Sequence, residues 1–134
     1  MPKAFKAVGL LILFMFACSA GEIKPVAIED GDMCSFCKMA ISQKQFAAEI
    51  ITEDERVLKF DDIGCMVHLR QNAGPDLKAS AIFVTDHETR QWLTAEKAYF
   101  SRSSTIKTPM GSGILAFADK DRAGSDAVRF TDLK

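Results

Sequence analysis

The sequence has no excess of basic charge: 17 Lys and Arg stand against 18 Asp and Glu in 134 residues, a formal net charge of −1. With no basic patch there is nothing to neutralise a phosphate backbone, which argues against nucleic acid as a partner. Beyond the N-terminal region no apolar run is long enough to cross a bilayer. No glycine-rich phosphate loop and no low-complexity tract occurs. The single Trp, Trp92, reads as a core or hairpin anchor. What remains is ordinary for a globular chain, with 48% hydrophobic and 26% charged residues, and the length allows one domain or two very small ones. Cysteine is scarce too, with four in all, so where each one stands is informative.

The first residues do not belong to the fold. Lys3 and Lys6 precede an apolar run, Val8 to Phe16, that is too short for a comfortable span and reads as a signal peptide over 1–17. An uncleaved anchor is the rival reading. Met15-Phe16-Ala17-Cys18 resembles a bacterial lipobox, with Met15 and Phe16 departing from the usual Leu and small residue. On this reading the mature chain starts at a lipidated Cys18 and is anchored to the envelope membrane, facing the periplasm or another extracytoplasmic space. Loss of Lys3 and Lys6 leaves 15 basic residues against 18 acidic ones, a formal side-chain charge of −3. Residues 18–32 carry Gly, Pro, Glu and Asp without periodicity and read as a tether, followed by a domain at 33–134.

Within that domain Phe46 to Thr52 and Val57 to Phe60 read as two strands about the polar turn Glu53-Asp54-Glu55. Asp61 or Asp62 can cap a helix that carries Cys65, Met66 and Leu69 and stops at Asn72-Ala73-Gly74-Pro75. Ala79 to Thr85 is a buried strand. The second half repeats this order loosely. It starts with a short strand at Gln91–Thr94 and an apolar patch at Ala98-Tyr99-Phe100. Ile114 to Phe117 is a strong strand, a helix is expected over Asp119 to Val128, and Arg129-Phe130 closes as a last strand. Leu58-Lys59-Phe60-Asp61-Asp62 and Leu115-Ala116-Phe117-Ala118-Asp119 align as one strand-to-helix corner. The expected fold is therefore α+β, two small related ββαβ units, with a repeat at 33–88 and 89–134.

The chemistry concentrates in Met33-Cys34-Ser35-Phe36-Cys37-Lys38-Met39, where two thiols and two thioethers fall within one short stretch. Soft sulfur donors select Cu(I), and thiolate also selects Zn(II). Cys34-x-x-Cys37 reads as metal ligands, a redox dithiol, a structural disulfide or buried small residues; no strand precedes it, as a thioredoxin-like redox site would need. Cys65-x-x-His68 adds a second knuckle, and Cys34, Cys37, Cys65 and His68 together would suit tetrahedral zinc. Against that, a helical Cys65 is more often core. With Cys18 lipidated, three cysteines remain, an awkward count for a purely structural disulfide framework outside the cytoplasm. Met110 stands in a loop, Thr108-Pro109-Met110-Gly111-Ser112-Gly113, where a thioether is better placed to be a ligand than in a strand, and thioethers do not form disulfides. His87 and the Glu53-Asp54-Glu55 cluster read as solvated turn residues.

Cys37-Lys38-Met39, the corner Phe60-Asp61-Asp62-Ile63-Gly64-Cys65-Met66, the segment from Val84-Thr85-Asp86 to Trp92, and Thr108-Pro109-Met110-Gly111-Ser112-Gly113 followed by Ala116-Phe117 occur in this order. Together they resemble the nitrous oxide reductase accessory lipoproteins, NosL, over about Met33 to Phe117. The resemblance implies two ββαβ units and a membrane-anchored copper chaperone, a binding module and not an enzyme. It implies Cu(I) bound through one Cys and Met ligands, in some cases with a His, carried here onto Cys37, Met39 and Met110; the residues themselves add Cys34 and His68 as further candidates. It implies delivery to nitrous oxide reductase or its copper-loading membrane transporter complex, or to another cuproenzyme. The family's usual Gly between Cys and Met is Lys38 here; its Cβ disfavours positive φ, so a different backbone path is expected. Two other functions stay open: a zinc-stabilised structural domain, and an envelope thiol-disulfide oxidoreductase using Cys34 and Cys37. The anchor has a direct check, since Cys18→Ala should move the protein to the soluble fraction or leave it unprocessed, and a processed variant still bound to membrane would refute the tether.

Overall fold

The computed structural model describes residues 21–134, so the leader at 1–17 and the lipidation expected at Cys18 lie outside the described residues. Strands β1 (Ala48–Thr52) and β2 (Val57–Phe60) form a hairpin, helix α1 (Ile63–Ala73) follows, and β3 (Ala79–Thr85) returns beside β1. A second set comprises β4 (Trp92–Thr94), β5 (Tyr99–Arg102), β6 (Ile114–Phe117), the one-turn α2 (Lys120–Ala123) and β7 (Val128–Arg129). The first sheet has the order β2-β1-β3-β4 and the second β6-β5-β7, all pairs antiparallel. In each, β-β-α-β in sequence becomes second-first-third in space, so the two ββαβ units expected from the sequence are present. Among the described residues no helix is long and apolar enough to cross a membrane.

The aligned corners match in detail. Asp62 caps α1 by accepting the Gly64 N–H at 2.7 Å. Asp119 caps α2 in the same way, accepting the Asp121 N–H at 2.8 Å. In both, the side-chain oxygen satisfies a helix N–H that has no partner within the helix. Gly74, at φ 54°, ends α1 before Pro75, as glycine commonly does at a helix C-terminus. Three differences from the sequence reading have local causes. Helix α2 stops at Ala123, well short of Val128, because Gly124 turns out at φ 96°, a conformation that glycine adopts without steric cost. Strand β4 pairs Trp92 with Thr85 and completes the first sheet instead of opening the second. The turn between them is closed by Asp86, which accepts the Glu88 and Thr89 N–H groups. The segment expected as a tether is part of the domain from Val26 onward. The Val26 N–H donates to Glu49 Oε1 at 2.8 Å, Lys59 Nζ to the Ala27 carbonyl at 2.7 Å, and Lys44 Nζ to the Ile28 carbonyl at 2.8 Å, while Ile28 is buried.

The main core spans both units and includes Ile50, Phe60, Ile63, Met66, Val84, Phe100 and Ile114. All of β6 is buried, and its alternation feeds two clusters: Ile114 and Ala116 join the main core, Leu115 and Phe117 a smaller one with Phe46 and Ala123. Asp86 ties the units together from the end of β3. It is fully buried, pairs in parallel with Ala116, accepts the Ala118 N–H at 2.8 Å and bonds Arg122 at 3.1 Å. Burial alone would raise its pKa; the N–H groups of Thr89, Ala118 and Glu88 and the Arg122 guanidinium outweigh that and lower it from 3.8 to about 2. A carboxylate whose folded pKa lies below its unfolded one stabilises the fold fully above the unfolded value and loses that contribution as pH falls toward the folded value. Asp86→Asn should therefore cost about 2 kcal/mol at pH 7. In urea unfolding, the gap between variant and parent should narrow below about pH 4 and close near pH 2; a gap independent of pH would refute the charge as its cause.

Candidate metal centre

The cysteine loop is built on the edge of the first sheet. Met33 and Ala40 bridge in antiparallel fashion, the Cys34 N–H donates to the Met39 carbonyl at 2.8 Å, and the Lys38 N–H returns to the Cys34 carbonyl at 3.1 Å. That last bond is one helical turn in kind, which sets Cys34 and Cys37, three apart, toward the same side. The Ser35 N–H donates to the Lys59 carbonyl at 2.7 Å. This bond covers the free edge of β2 next to the Phe60-Asp61 corner. Lys38 lies at φ 65°. The different backbone path expected from its Cβ is thus not taken, and the residue accepts a left-handed conformation that costs any side chain but glycine. Its Nζ donates to the Ser35 carbonyl at 2.8 Å, binding the loop across its turn.

Cys65 approaches from α1. One donor atom each from Cys34, Cys37, Asp61 and Cys65 lies within 4.8 Å of all the others. All three cysteines are free; Cys34 and Cys65 are buried and Cys37 is half-buried. The Cys37 thiol donates to the Asp61 carboxylate, 3.5 Å from Oδ1. Burial pushes the Cys37 thiol up, and neighbouring Cys34 and Asp61 add to that; burial raises Cys65 much further. A bound cation would reverse this balance and hold the thiolates charged.

The second unit supplies the other wall. Asp62, fully buried, accepts the Gly64 N–H, the Met110 N–H at 2.9 Å and the Ser112 hydroxyl. Burial works to raise its pKa, but the Ser112 and Thr108 hydroxyls with the Met110 and Gly64 N–H groups hold it below the usual carboxylate range. The Met110 loop is closed upon itself, the Gly113 N–H donating to Thr108 Oγ1 at 3.1 Å and the Gly111 N–H to the Thr108 carbonyl at 3.0 Å. Met39 and Met110 are exposed, at 59% and 49%. His68 lies outside the gathering of donors: it is exposed, and its ring stacks on Phe36 at 5.7 Å. His87 is packed against Phe46 and Phe117, a half-buried setting unlike the solvated turn expected. Sequence reasoning placed Asp61 only as a cap; the consecutive acids divide the work, Asp62 capping and Asp61 facing the thiols.

The family model for NosL matches residues 25–131. The chain belongs to the NosL family. This NosL chain is also similar in structure to a protein solved as the copper chaperone NosL from Shewanella denitrificans, with a TM-score of 0.70 at 20% identity, covering 83% of this chain and 96% of that one. Among curated proteins compared with it in sequence, none matches.

Gly64 is where the two walls touch. A Cβ there would stand 2.4 Å from Ser112 Cβ and 3.1 Å from Asp62 Oδ1. Gly64→Ala should therefore cost about 1–3 kcal/mol in chemical unfolding. Combined with Ser112→Gly, the total should fall below the sum of the two single losses, since the clash then has no partner; additive losses would show that no clash arises here.

Proposed function

We propose that this NosL-family protein is an extracytoplasmic, lipid-anchored Cu(I)-binding chaperone, a binding module without catalysis. The observation that carries this reading is the convergence of three free thiols, one of them half-exposed, beside two loops whose exposed tips are methionines. Such a set is soft throughout except for Asp61, and soft donors favour Cu(I). Family membership supports the reading, as does a fold shared with a protein described as a copper chaperone. The ligands assigned are Cys37 first, with Met39 and Met110 supporting and Cys34 next; His68 is a reserve donor. The recipient assigned is nitrous oxide reductase, its copper-loading membrane transporter complex, or another cuproenzyme.

A chaperone must hold its ion against water and yet release it to a competing ligand. A half-exposed thiolate assisted by neutral thioethers does both: the thiolate neutralises Cu(I), and the thioethers leave without protonation. Zinc is the second reading, because three thiols and a carboxylate make the four donors a tetrahedral site needs. Metal content after purification under reducing conditions separates the two.

Competition titrations with a Cu(I) chelator test the ligand assignment. Cys37→Ser should abolish tight binding, because no other accessible donor carries charge. Met39→Leu and Met110→Leu should each cost less, Met110→Leu the more of the two because its loop joins the second unit to the site. Wild-type affinity in Cys37→Ser, with loss in Cys65→Ser, would move the site to the helix.

A further inference from the structure

We propose that this chain holds Cu(I) in two positions that share Cys37: an outer one with the thioethers of Met39 and Met110, and an inner one completed by Cys34 and Cys65. The inference rests on the copper reading above and adds to it a buried three-thiol site. Cys34 and Cys65 are 0% and 2% exposed, neither is in a disulfide, and they come from different elements, a loop and a helix. Both belong to the main apolar core, and within it their sulfurs and that of Cys37 stand within 4.8 Å of one another. A metal–sulfur bond of about 2.3 Å puts the three sulfurs of a trigonal plane about 4 Å apart, so a contraction of less than an ångström closes the site.

Access is one-sided. Cys37 is the single thiol of the three that reaches the surface, beside the exposed Met39 and in the loop whose corner neighbour, Asp62, holds the Met110 backbone. An ion therefore reaches the inner sulfurs through Cys37. The move is ligand exchange with copper remaining Cu(I): bonds to the thioethers break, bonds to the sulfurs of Cys34 and Cys65 form, and the protons of those thiols pass to water. The inner position excludes water and retains the ion; the outer one presents it. Such a division separates holding from handing over within one site.

The test uses the full chain loaded anaerobically with one equivalent of Cu(I). The Met39→Leu/Met110→Leu double variant alters only exposed side chains, so folding is not at issue. X-ray absorption should still find three sulfurs around copper in it, while transfer to a chelator should slow by at least about tenfold. Cys34→Ala and Cys65→Ala, checked for folding by urea unfolding, should still take one Cu(I) but at least about tenfold more weakly. A single sulfur around copper in the double methionine variant would overturn the inner site. So would wild-type affinity in both alanine variants. Failure of the unaltered chain to take up Cu(I) is a separate result, and it would overturn the functional reading as well.

Discussion

Everything about the site depends on the burial of the Asp62 carboxylate. A charge with no exposed surface is costly unless every lone pair is used, and here the donors come from both halves of the molecule: Gly64 from its own helix, Met110 and Ser112 from the loop of the second unit. Removing any one leaves a desolvated oxygen short of a partner. The helix that carries Cys65 and the loop that carries Met110 are thereby held in one register. Asp61, one residue earlier, takes its position from the same corner and faces Cys37.

Asp86 repeats the device at the far end of β6. Asp62 grips the loop leading into that strand and Asp86 the corner leading out of it, through Ala118 and Arg122. Both carboxylates belong to the first unit, and donors from the second help to hold both pKa values down, beside Thr89 and Glu88 for Asp86 and Gly64 for Asp62. The two sheets thus meet around a strand whose side chains fill two cores and whose ends are fastened by buried anions. The thiol cluster lies at the Asp62 end, on the seam of the duplication, where each half contributes a sulfur-tipped loop.

Strands were legible wherever the apolar pattern was local. Ile114–Phe117 is a continuous apolar run, and Ala79–Thr85 is apolar except at Ser80 and Thr85, so both strands show in the local composition. The strand-to-helix corners were legible because a capping Asp has a local signature. What escaped has non-local causes. Trp92–Thr94 joins the first sheet because Asp86 closes a tight turn onto β3, which a run of Asp, His, Glu and Thr does not announce. Asp61 was hidden by its neighbour, since two adjacent acids before a helix both read as caps. His87 was placed in solvent from its turn-like surroundings, whereas Phe46 and Phe117, far away in sequence, pack against it. The left-handed Lys38 runs against residue preference and is held by the loop's own hydrogen bonds. The sulfur-rich loop was plain in the sequence, and Cys65 stood open between core and ligand; it meets the loop thiols, whereas His68, three residues on, does not.

The strap at Val26–Asp32 has a mechanical meaning. Its backbone is tied to the side chains of Glu49 and Lys59 on the first sheet, and only then does it run into Met33 and the cysteine loop. A pull on the chain ahead of Val26 would load those bonds before any force reached Cys34. The fastening serves as a strain relief, like the clamp on a cable ahead of its terminals. The spacing of the sulfurs is thereby insulated from whatever happens in the chain ahead of Val26.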